Sequence, residues 1–180
     1  MSNSDESMHW FAMSAPYQRE LKAQHLLGKA SIECFIPMCY KVVVQGGRKR
    51  RAWLPAISNL IFVHTTRPVI QQTKRSIPFL QYHTRPEEGR NVPIIVPDDQ
   101  MDQFIKVSHT QAETLVYLTG EELKHLNKGT RVRILGGLFD GVEGTFVRVK
   151  GYRSKHVVVQ IQGLIAVIIE VHPDLIEIID

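Results

Sequence analysis

The sequence predicts an α+β protein: an α/β sandwich with an antiparallel sheet over residues 8–109, a linker over 110–127, and a small β-barrel over 128–180. Three observations predict it. Over the first part, short strand-like runs are interleaved with segments whose apolar residues recur at helical spacing. From residue 128 onward every patterned segment is strand-like and set off by tight turns, as in a small barrel that closes its own edges. The stretch between them is polar and acidic, without clear sheet patterning. A chain of 180 residues has room for one ordinary domain or two small ones, and 43% hydrophobic with 22% charged residues is a globular composition.

Trp10-Phe11-Ala12-Met13 reads as the first strand. Pro16 suits the opening turn of a helix, with Ser14 as its cap, an apolar stripe of Tyr17, Leu21, Leu26 and Leu27, and Gly28 placed to end it. Residues 33–37 form a strand running into Lys41-Val42-Val43-Val44. Gly46-Gly47 turns the chain, and Arg48, Lys49, Arg50 and Arg51 return as the basic arm of a hairpin. The apolar run Asn59-Leu60-Ile61-Phe62-Val63 is expected to be a central strand covered on both faces. A short helix over 67–75 and a strand near Phe79-Leu80-Gln81-Tyr82 follow. Pro97-Asp98-Asp99 then opens a helix with Met101, Phe104 and Ile105 on one face. Part of the linker, near residues 121–126, is expected to be helical.

The barrel strands are expected at 130–135, 142–150, 156–162 and 164–171, with a closing segment at 175–179. Residues 128–145, KGTRVRILGGLFDGVEGT, carry the strongest local pattern. Arg131-Val132-Arg133-Ile134 alternates with the period of a half-buried strand. Gly136-Gly137 and Asp140-Gly141 tolerate the backbone of a sharp turn, and Gly144 inside the next strand marks a bulge or close backbone approach. The β-branched runs at 157–159 and 165–169 favour a constitutive strand state.

Charge is segregated. Residues 34–86 contain no Asp or Glu but nine Lys or Arg, Lys41, Arg67, Lys74, Arg75 and Arg85 among them, giving a window of +9 within a net charge of +4. Such a field suits a polyanion, or else it is a solvated face neutralised by the acidic stretch beside it. The barrel is only +1 and is not an obvious nucleic-acid binder. Cys34 and Cys39 lie five apart in an extended segment, so they point to opposite faces and read as thiols in a reducing compartment. No apolar run reaches membrane-span length and no secretory leader is visible, which predicts a cytoplasmic protein without a membrane. No phosphate loop, nucleophile elbow, dinucleotide fingerprint or zinc motif occurs, so no enzyme, metal or cofactor is expected.

Residues 128–145 resemble a KOW motif. The order of an N-terminal α+β domain, a linker and a KOW barrel resembles the NusG family of transcription elongation factors, with its NGN domain and SH3-like KOW domain. The likeness rests on His9-Trp10-Phe11-Ala12-Met13 with its helix, on Phe35-Ile36-Pro37, on Gly47-Arg48-Lys49-Arg50-Arg51 and on residues 55–63. The C-terminal residues 167–179 are most similar to UpxY-type paralogues, antiterminators of capsular polysaccharide operons.

The resemblance implies a transcription antitermination or elongation factor, a monomer that suppresses pausing or termination. Its N-terminal domain would bind the RNA polymerase clamp through Trp10, Phe11, Ile57 and Leu60, each of which is equally readable as a core residue. Arg48, Lys49, Arg50, Arg51 and Arg75 would meet non-template DNA or nascent leader RNA. The KOW loop Gly136, Gly137, Leu138 and Phe139 would recruit Rho or a ribosomal protein, with Phe139 readable as contact or core. Where the family usually has Pro-Gly-Tyr, this chain has Ser58-Asn59-Leu60, which removes an aromatic anchor. The alternatives are a ribosome-associated KOW protein that binds RNA as a scaffold, or a housekeeping member of the family.

Overall fold

The continuous apolar run Trp10-Phe11-Ala12-Met13 lies within β1, His9–Ser14, the strand around which the N-terminal sheet is built. The computed structural model describes residues 6–111, 113–123, 129–148, 155–161 and 164–179. Lys128, residues 124–126 of the expected linker helix, residues 149–150 and residue 162 of the expected barrel strands lie outside them. Packing divides the chain into two compact units, Met1–Met38 with Trp53–Asp98, and Cys39–Ala52 with Asp99–Asp180.

After β1 comes helix α1, Glu20–Lys29. It starts four residues later than Pro16 predicted, and no side chain caps it. The reason is local: Tyr17 and Gln18 both adopt left-handed backbone, with φ of 61° and 55°, and so cannot continue a right-handed helix. The expected apolar stripe holds in its second half only: Leu27 is buried and Leu26 packs against the core, whereas Tyr17 and Leu21 are exposed and Ala23 faces the core instead. Strand β2 is Glu33–Phe35, and β3, Met38–Gln45, forms a two-stranded hairpin with β4, Arg48–Pro55. Then β5, Leu60–Thr65, lies between β1 and β2, with Leu60, Ile61, Phe62 and Val63 all buried, as the continuous apolar run predicted.

Helix α2 is Arg67–Ser76, with Pro68 in its first turn, where its missing N–H costs nothing. The free edge of β1 is then shared. β6, Gln81–Tyr82, pairs with Met13 and Ser14, and a later strand pairs with Trp10 and Phe11. Between them the chain leaves the sheet as a small hairpin, β7 (Thr84–Glu87) and β8 (Arg90–Pro93), before returning as β9, Ile95–Val96. Phe11, Met13, Ile61 and Val63 on one sheet face meet Ala23 and Leu27 of α1 and Ile70 of α2. Truncating a residue such as Leu27 to Ala would cost about 2–5 kcal/mol.

The second unit contains α3, Asp98–His109, of which Asp98 belongs to the first. As expected, α3 buries Met101 and Phe104; Val107 joins them, while Ile105, expected on the same face, is only half-buried. Leu115-Val116-Tyr117-Leu118 was expected to be linker, but Val116–Thr119 forms β10 and pairs with residues 165–168 of the C-terminal sheet. A short helix α4, Gly120–Leu123, follows. The remaining strands are β11 (Thr130–Ile134), β12 (Glu143–Arg148), β13 (Lys155–Ile161), β14 (Ile165–Ile169) and β15 (Ile176–Ile178). They make one antiparallel six-stranded sheet in the order β10-β14-β13-β12-β11-β15. The fold class is therefore α+β, with a small C-terminal β domain.

Gly144 does what a glycine inside a strand predicts. A Cβ there would lie 2.7 Å from the Val158 carbonyl oxygen, so β12 approaches β13 closely because that atom is missing. Gln103 of α3 accepts a hydrogen bond from the Glu143 N–H (3.1 Å), and the Lys106 ammonium donates to the Asp140 carbonyl. The Phe104 and Tyr117 rings meet edge to face, 6.2 Å apart.

Candidate nucleic-acid interface

The β3–β4 hairpin turns on Gly46 and Gly47, whose φ of 58° and 74° is the backbone a two-residue hairpin loop demands. That turn fixes the direction of β4, so Arg48, Lys49, Arg50 and Arg51 all stand exposed. Among the described residues Arg48, Lys49 and Arg50 have no carboxylate partner. Arg51 differs: its Nη2 lies 2.8 Å from Glu113 Oε1, and its guanidinium carbon sits 4.5 Å from the centre of the Tyr40 ring. The hydrogen bond that Arg51 donates to Glu113, and then that carboxylate's charge, raise the Arg51 pKa. Arg75 is exposed on α2, in the other unit.

Two cations of the six-stranded sheet are arranged differently. Arg133 pairs with Glu143 at 2.7 Å and with Glu177 at 3.5 Å, and Arg131 with Glu143 at 3.4 Å. These charges are neutralised within their own sheet, whereas most of the hairpin's are not. Gly136, Gly137, Leu138 and Phe139 form a turn at the sheet end: both glycines have positive φ, Gly137–Phe139 is a 3-10 turn, and Asp140 accepts the Gly136 N–H. Leu138 is 64% exposed and Phe139 is half-buried. Leu135 and Leu175 are exposed beside this turn, joined by a backbone hydrogen bond of 2.7 Å.

The four apolar residues expected to meet a protein partner are not gathered on one surface. Phe11 faces the helices and is fully buried. Trp10 and Leu60 lie on the opposite sheet face and are 5% and 3% exposed; Ile57, in the loop before β5, is half-buried. The Trp10 ring stacks on His64 across the β1–β5 pair, with centroids 4.6 Å apart and planes 11° from parallel. His64 Nδ1 is 2.7 Å from Glu33 Oε2 on the next strand. Cys34, neighbouring that pair, has its thiol pushed up to about 11 by burial and then by Glu33; Cys39 is raised too, again chiefly by burial.

A family model described as NusG, transcription termination factor nusG, matches residues 8–105. The chain belongs to the NusG family. No curated protein matches it. A solved structure described as the domain interaction in Thermotoga maritima NusG is similar over 97% of this chain and 98% of its own, at 17% identity and a TM-score of 0.47. Among the described residues no helix is long and apolar enough to cross a membrane.

Membership of the NusG family gives the Ser58-Asn59-Leu60 departure a physical reading. Asn59 stands where the family usually has Gly, and its backbone is left-handed, with φ of 68°. Asn is among the few non-glycine residues that tolerate this region. Its side chain adds a tie glycine lacks, accepting the Gln18 N–H at 2.9 Å, while its carbonyl accepts the Ala15 N–H at 2.9 Å. Leu60, in place of the family's Tyr, is buried. Tyr40 and Glu113 were not singled out from sequence. A basic arm's neighbours across a hairpin can be inferred from the turn, but a partner 62 positions away cannot.

Proposed function

We propose that this NusG-family protein is a cytoplasmic, non-catalytic antitermination or elongation factor. It binds the RNA polymerase clamp through its N-terminal domain, residues 8–109, and suppresses pausing or termination. The UpxY-like C-terminal residues 167–179 support service to one operon of the capsular-polysaccharide type. A protein that binds the closed, processive polymerase better than the paused one shifts the population toward it, which is all that antipausing requires. The basic hairpin grips nucleic acid of the transcription complex, and the KOW turn, with exposed Leu138, recruits Rho or a ribosomal protein.

The observation that carries this reading is the exposed hairpin of Arg48, Lys49 and Arg50, without carboxylates among the described residues, in a chain of this family. Phosphate contacts from such an arm supply affinity and orientation, while sequence must be read from exposed bases. The test is affinity capture of the tagged protein from its own cells, with cross-linking and mapping of the attached DNA. Polymerase in the capture and occupancy confined to one locus is expected. Occupancy of all transcribed genes would make it a housekeeping factor, and ribosomal subunits without polymerase would overturn the reading.

A further inference from the structure

We propose that Tyr40 and Arg51 form a stacking site for an unpaired base of single-stranded DNA, and that Glu113 holds the site closed in the free protein. This rests on the reading of the hairpin as a nucleic-acid grip. Along β3, Tyr40, Val42 and Val44 are 50%, 66% and 70% exposed, while Lys41 and Val43 between them are half-buried. The outward face of the strand is thus apolar and aromatic, and β4 brings Arg51 beside it, with Lys49 two residues earlier on the same face and Arg48 and Arg50 on the other. An aromatic and apolar face rimmed by positive charge is complementary to a strand whose bases are apolar on their faces and whose backbone is anionic.

The Arg51 guanidinium, 4.5 Å from the Tyr40 ring centre, adds a second flat surface. Bases stack on aromatic rings and on guanidinium planes alike, but only when their faces are uncovered, so a duplex is excluded. Val42 and Val44 offer no partner to a 2′-hydroxyl, and burying a hydroxyl unpaired is costly, so deoxyribose fits this face better than ribose. Glu113 supplies the switch. Its carboxylate occupies, 2.8 Å from Arg51, the position a phosphate oxygen would take. Both side chains are exposed, 54% and 70%, and a pair this wet is weakly held. An incoming backbone phosphate displaces the carboxylate and inherits its bond to Arg51.

The test is fluorescence anisotropy of the full chain with a labelled 12-nucleotide single strand, its duplex and its RNA counterpart. Single-stranded DNA is expected to bind tightest of the three. Tyr40→Leu should weaken it by about fivefold or more without changing duplex binding, and Tyr40→Phe should not. Glu113→Gln should tighten it by about 1.5- to 5-fold, a gain that misfolding cannot mimic. Wild-type affinity in Tyr40→Leu, no gain in Glu113→Gln, or equal binding of RNA would overturn the proposal. A combined R48A/K49A/R50A chain separates the two layers. If it loses affinity while Tyr40→Leu and Glu113→Gln behave as wild type, the grip stands and the stacking site falls. If it loses nothing, the grip itself falls.

Discussion

Removing Arg48, Lys49 and Arg50 together has an effect on salt dependence that can be worked out in advance. All three are exposed and without a carboxylate partner among the described residues, so each is available to one phosphate. Each phosphate neutralised on a single strand contributes about 0.7 to the slope of log affinity against log salt, so alanine at all three positions should flatten that slope by about 2. Between about 50 and 200 mM salt, the wild-type chain should then lose about 20-fold more affinity than the triple variant. Adding Arg51→Ala should flatten the slope by less than one further step, because Arg51 must first surrender Glu113 at 2.8 Å. The hairpin should fold regardless, since its turn depends on Gly46 and Gly47 rather than on these side chains. Anisotropy titrations at four salt concentrations measure the slope directly. A triple variant whose slope stays within about 0.5 of wild type would refute the assignment of these cations to phosphates.

Three further outcomes concern the folded chain. Asn59→Ala should destabilise by about 2 kcal/mol in urea unfolding, because it loses both a residue tolerant of left-handed backbone and the bond to Gln18, while Asn59→Gly should cost clearly less. Equal losses would refute the backbone explanation. Gly144→Ala should lower the melting temperature and cost about 1–3 kcal/mol, since its Cβ would press on the Val158 carbonyl at 2.7 Å. Cys34 should make stability pH-dependent only at the alkaline end. The unfolded thiol ionises near 9.0 and the folded one near 11, so the native state holds the extra proton between them and stability falls as pH rises through that window. Cys34→Ser should remove this part of the decline, as followed by urea titrations at pH 8 and pH 10.5.

The sequence was most legible where period and turn chemistry agreed. Leu60 to Val63 reads as a buried strand from composition alone, and Gly46-Gly47 between two strand-like arms reads as a hairpin from turn chemistry alone. Gly144 was readable for the same reason: a strand interior tolerates glycine when something else needs the space. The failures came where a local preference met a distant demand. Pro16 is a good helix opener, yet the neighbouring Asn59 loop ties down Ala15 and Gln18, and the helix waits until Glu20. The β7–β8 hairpin turns on Glu88-Gly89, both at positive φ, a weak pair whose signal was lost among charged residues. Of the candidate interface, the cations were visible as a charge window. Tyr40 and Glu113 were not, because a stack and an ion pair are set by packing rather than by spacing.

The strand β10 has a practical meaning for anyone who divides this protein. Val116–Thr119 covers the edge of β14 along four of its five residues, from Ile165 to Ile168. A fragment cut at residue 128, where the glycine motif begins, would strip that cover and leave a bare row of amides and carbonyls on a strand buried on both faces. Such an edge is a template for pairing with another chain. The shorter fragment should self-associate as its concentration rises, whereas one beginning at residue 114 carries its own protection.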